Sequence, residues 1–129
     1  MIAKTSDLAR IQEMYDIICQ TERQMQALAF TRERFLNPTN DNDDLVAEGI
    51  LNRVFRVAEE GGKLSDECAD NYGFDRRGIS GVRNRLAHVY GEVDRPLIWA
   101  VLTKDFAEIK RSCQAFCDNH GIDLHETGR

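Results

Sequence analysis

Proline is scarce in this chain: two among 129 residues, beside nine glycines. So little punctuation leaves long helices free to form. Alternating apolar and polar residues never persist for a useful length, which removes the case for a sheet. No stretch approaches the roughly 20 apolar residues that a membrane span needs, so no membrane association is expected. The first residues carry Lys4, Asp7, Arg10 and Glu13 in place of the apolar run of a secretory leader. A cytoplasmic protein is expected.

Cysteines are few, and none sits in a CxxC pair. Cys19, Cys68, Cys113 and Cys117 each replace a small apolar residue in a helical pattern, the usual behaviour of thiols in a reducing compartment. Cys113 and Cys117 lie four apart, with His120 a turn further on. That spacing offers three metal ligands, but without a CxxC knuckle core packing is the favoured reading. No metal and no cofactor are expected.

The composition is 42% apolar and 30% charged, that of an ordinary soluble domain, here taken as one unit over residues 1–129. A net charge of −5 argues against a protein that coats nucleic acid by bulk attraction. The basic residues are unevenly spread, however. Arg76, Arg77, Arg83 and Arg85 crowd into residues 76–85, and His88 follows. A local basic patch on an acidic chain suits a phosphate-handling pocket.

Apolar periodicity supplies the fold. Leu8, Ile11, Tyr15, Ile18, Met25 and Ala29 form the stripe of a long first helix, with Thr5 and Ser6 as candidate caps. Phe30 to Leu36 predicts a short helical turn, and residues 37–44 a loop rich in Asn and Asp. A second long helix from near Asp43 turns Leu45, Ile50, Leu51, Val54, Phe55 and Ala58 inward and ends at Gly61–Gly62. Leu64, Cys68 and Tyr72 predict a shorter helix with Ser65 and Asp66 as caps and Gly73 as its stop. Ile79, Val82 and Leu86 mark a short helix over roughly Asp75 to Ala87. Asp94 caps a last long helix, with Pro96 in its first turn and Ile98, Leu102, Phe106, Ile109, Cys113 and Phe116 as its stripe. Residues 122–129 are polar and expected to fray. The prediction is an all-α antiparallel bundle of four to five helices.

Chemistry concentrates in residues 79–90, ISGVRNRLAHVY, where Arg83, His88 and Tyr90 give the spacing R-x4-H-x-Y and Asn84 follows the arginine. On one helix Asn84 and His88 share a face, whereas Arg83 and His88 stand about 140° apart. The two can meet if the helix ends near Leu86 or if a two-fold partner supplies a second copy. Arginine offers a planar fork for phosphate oxygens, and histidine exchanges protons near neutral pH. RNA carries its own nucleophile in the 2′-hydroxyl, so the set fits phosphodiester cleavage without a metal. Asn84 can orient His88 or hold a phosphate oxygen, Tyr90 can bond the substrate, and Arg76, Arg77 and Arg85 are candidates for RNA binding. The bland readings are a histidine capping a helix end and solvated arginines. A non-catalytic nucleotide-binding or regulatory module using the same pocket is the alternative function.

The stretch GVRNRLAHVYGEVDRPLIWAVLTKDFAEIK resembles the HepT-like toxins of the HEPN superfamily. The matching pieces are Arg83-Asn84, His88-Val89-Tyr90, Val93-Asp94, Ile98-Trp99 and Asp105-Phe106; the central helix, with Val57-Ala58-Glu59-Glu60-Gly61-Gly62, departs from the family's usual wording. The resemblance implies a HEPN-like bundle that forms a homodimer and cleaves RNA in a cleft shared by both motif copies, with Arg83 and His88 as catalytic residues. It further implies the toxin of a type VII toxin–antitoxin pair. Its partner would be an MNT-type nucleotidyltransferase antitoxin that attaches AMP to Tyr90.

Overall fold

A computed structural model describes residues 5–74 and 94–127. The described residues form helices α1 (Thr5–Ala27), α2 (Arg32–Leu36), α3 (Asp41–Gly62), α4 (Asp66–Tyr72) and α5 (Arg95–Ala100), then a π-helical turn (Val101–Asp105) and α6 (Phe106–Asn119). No strand occurs among them, as the missing alternation implied. Ala100, Val101 and Phe106 all keep right-handed helical backbone, so α5, the π turn and α6 run on as one rod. The expected helix over Asp75 to Ala87 lies outside the described residues.

Polar contacts fix the direction of the two longest helices. Arg10 reaches Glu60, Arg56 reaches Glu13, and Arg53 reaches Thr21 and Gln24. As numbers rise along α1 they fall along α3, so the pair is antiparallel. Between them and the last rod lies a single apolar core in which Ile11, Met14, Ile18, Phe35, Val54, Phe106, Cys113 and Cys117 are almost wholly buried.

Helix ends follow local chemistry. Thr31, Asn40, Ser65 and Asp94 each turn a side-chain oxygen onto a backbone N–H of the first turn, the N-cap arrangement that satisfies an otherwise orphaned donor. Gly61–Gly62 ends α3 as expected. Gly73, at φ +75°, closes α4 in the left-handed region where glycine is favoured.

Four expectations need correction. Thr5 and Ser6 lie within α1, not ahead of it. Ala29 does not extend the α1 stripe: it is exposed, at φ +49°, and its turn brings Phe30 N–H onto the Met25 carbonyl at 2.9 Å. Leu45 is 73% exposed, because Asn40 caps α3 early and the inward face runs through Asp43, Ala47, Ile50 and Val54. The tail, expected to fray from residue 122, is held as far as Thr127. Leu124 is buried, and Asp16 accepts from both the N–H and the hydroxyl of Thr127. Gln12 donates to the His125 carbonyl at 3.0 Å, and Arg23 pairs with Glu126. Polarity misled here because the His125 carbonyl, Glu126 and Thr127 each find a partner on α1.

The buried carboxylate of Asp43 clamps the corner between α2 and α3. Arg34 donates to it through Nε and Nη2, and also reaches the Leu28 and Ala29 carbonyls. That guanidinium, with help from Asn40, holds the Asp43 carboxyl below its ordinary pKa. A depressed folded-state pKa stabilises the fold above the unfolded value and loses that contribution as pH falls through the folded one. Asp43→Asn should therefore melt below the parent at neutral pH, with the gap closing on acidification below about pH 4. Thermal melts from pH 7 to pH 3 check this, and a gap that widened on acidification would contradict it.

Candidate active site

All of Arg83, Asn84, His88 and Tyr90, together with Arg76, Arg77 and Arg85, lie outside the described residues. The structure does show how the segment carrying them is anchored at each end. On the entry side, the Gly73 turn lets Phe74 N–H bond the Ala69 carbonyl at 3.1 Å and sends the Phe74 ring into the core. A residue with a Cβ at Gly73 would meet nothing closer than the Ser112 hydroxyl at 3.9 Å, so its backbone angle, not space, selects glycine.

On the exit side, Asp94 Oδ1 accepts from Leu97 N–H at 3.1 Å and starts α5. Pro96 then occupies a first-turn position where its missing N–H costs nothing. Arg95 crosses to α2 and donates to the Phe35 carbonyl at 2.7 Å, with its guanidinium carbon 5.5 Å from the centre of the Phe35 ring. Trp99, one turn on, lies against the same ring at 5.5 Å and 37°. Both ends of the segment are thus fixed to buried aromatic residues. Nothing in the apolar pattern singles out Arg95, since its anchor is a carbonyl on a helix 60 residues earlier. The Val-Asp turn beside it was the only available signal.

Cys68, Cys113 and Cys117 are built as core, and Cys19 is half-buried. Burial pushes the Cys68 thiol up to about 12, and it raises the Cys113 and Cys117 thiols in the same direction. His120 turns Nδ1 to the Phe116 carbonyl at 2.8 Å and stacks on the Phe116 ring at 4.3 Å. Among the described residues no three His, Cys, Asp or Glu side chains are grouped to hold a metal ion. No described helix is long and apolar enough to cross a membrane.

The fold and these anchors define the class: an all-α bundle in whose sequence a basic R-x4-H-x-Y segment falls between two described helices. The family described as Ribonuclease HepT-like matches residues 11–116, which include the whole motif, and the chain belongs to that family. Comparison with curated proteins and with solved structures gave no match.

Proposed function

We propose that the protein is an endoribonuclease acting as the toxin of a type VII toxin–antitoxin pair, with Arg83 and His88 as its catalytic residues. The observation that carries this reading is membership of the HepT-like ribonuclease family across a region that contains Arg83, His88 and Tyr90. The chemistry is self-consistent. His88 takes the proton from a ribose 2′-hydroxyl, the 2′-oxygen bonds to the adjacent phosphorus, and the bond to the 5′-oxygen breaks. The products are a 2′,3′-cyclic phosphate and a 5′-hydroxyl, the latter protonated by the partner's His88 in a homodimer. Arg83 lies against the phosphate oxygens, whose charge grows in the transition state. Asn84 orients His88. The nucleophile comes from the RNA, so the step needs no metal.

An MNT-type nucleotidyltransferase antitoxin inhibits the enzyme by adding AMP to Tyr90. The hydroxyl oxygen attacks the α-phosphorus of ATP, pyrophosphate leaves, and the new phosphodiester brings a negative charge beside Arg83 and His88. Purified protein should cut single-stranded RNA to cyclic-phosphate ends in the presence of a chelator. The same protein co-produced with the transferase should carry AMP-sized mass additions on the Tyr90 peptide and lose cleavage. Tyr90→Phe should escape both the addition and the inhibition. Modification and neutralisation of Tyr90→Phe as in wild type would exclude that residue as acceptor, and RNA left intact at every protein concentration would exclude the nuclease.

A further inference from the structure

Most of the arginines with described side-chain bonds end on a carboxylate: Arg10 on Glu60, Arg23 on Glu126, Arg34 on Asp43 and Arg56 on Glu13. Arg95 does not. Its partners are the Phe35 carbonyl and the Phe35 ring, and neither carries a charge. The carboxylate next to it in the chain, Asp94, is engaged as the α5 cap, and Glu33 on α2 accepts from Asn37. Among the described residues Arg95 is thus held in place without an ion-pair partner. Four of its five N–H donors bond no described residue.

That combination is what a phosphate site requires. A guanidinium already ordered by neutral groups loses little further freedom when an anion arrives, and its planar fork accepts two phosphate oxygens. Trp99, four residues further along α5 and half-buried on the same Phe35 ring, adds an aromatic surface to that helix face. Cation and ring together are the elements by which proteins hold single-stranded nucleic acid, the first for the backbone and the second for a base. Arg95 also stands five residues beyond Tyr90 in the chain.

We propose that Arg95 binds a backbone phosphate of single-stranded RNA, with Trp99 beside it as a surface for the neighbouring base. The proposal rests on the ribonuclease reading and adds to it a contact outside the R-x4-H-x-Y motif. Arg53 is the natural control. It too is held by neutral groups, Thr21 and Gln24, but in the α1–α3 seam.

The test is binding of a labelled single-stranded RNA to the His88→Ala protein, followed by fluorescence anisotropy across a series of salt concentrations. Arg95→Gln keeps an N–H for the Phe35 carbonyl and removes the charge. It should weaken binding several-fold and flatten the slope of log affinity against log salt by about 0.7, the loss of one single-strand phosphate contact. Arg53→Gln should leave the slope unchanged. An unchanged slope in Arg95→Gln, or an equal loss in Arg53→Gln, overturns the proposal. A second measurement holds even if Arg95→Gln fails to fold: RNA should protect Arg95, and not Arg53, from an arginine-specific dicarbonyl reagent read by peptide mass. Arg95 modified equally with and without RNA overturns it as well. Wild-type protein that cleaves RNA while the slope does not move sinks the Arg95 contact alone. Protein that neither binds nor cleaves RNA takes the ribonuclease reading with it.

Discussion

His88→Ala is expected to lower RNA cleavage by a factor of about 10² to 10⁴ and to abolish growth arrest on expression, with the melting curve unchanged. The size of the loss follows from the role. Without an imidazole, the 2′-hydroxyl must lose its proton to water while the bond to phosphorus forms, and the departing 5′-oxygen must leave unprotonated. Arg83→Ala should cost about 10² to 10³ by removing the cation against the phosphate oxygens. If the two act on one transition state, as proposed, the double variant should be little worse than the poorer single one. Cleavage rates with a short defined RNA, measured beside circular-dichroism melts, decide the matter. If His88→Ala cut as fast as wild type, the histidine would have no catalytic role.

Phe35→Ala should cost the fold about 3–5 kcal/mol, enough to lower the melting midpoint by many degrees. Phe35 is wholly buried although α2 is a single short turn of helix. Its ring supports Trp99 and Arg95, and its carbonyl receives the Arg95 guanidinium. Truncation opens a cavity beneath both and loosens the exit anchor of the motif segment. Phe35→Leu, which refills part of the volume, should recover more than half of the loss. Denaturant titration of the three proteins checks the order. A Phe35→Ala protein as stable as wild type would mean that α2 packs independently of the core.

Helix ends were the most legible part of the chain, because one residue and its neighbours decide them. Ser65 as a cap, Gly73 as a stop, Gly61–Gly62 as an end and Asp94 with Pro96 as a start are all where local chemistry put them. Facing was less legible. Leu45 looked inward because it is apolar, yet helix phase is set by the whole face, and Asp43 takes an inside position by pairing with Arg34. The π turn over Val101–Asp105 was not foreseen. It turns both Val101 and Leu102 inward before the stripe resumes at Phe106, whereas the expected stripe kept only Leu102. The motif was legible as spacing alone. Arg95 was hidden, because its hold on Phe35 appears only when its partners in space are known.

The hold that Asp16 takes on Thr127 bears on how the protein comes into being. α1 is made before the residues that close its flanks, which are Arg53, Arg56 and Glu60 and then Cys113 and Thr127, the last of these 111 residues downstream of its acceptor. Pairings that distant form slowly, since a large loop must close before any contact rewards it. One side of the opening helix therefore stays wet until residue 127 has been made, and a nascent chain stopped short of that point has an unfinished bundle.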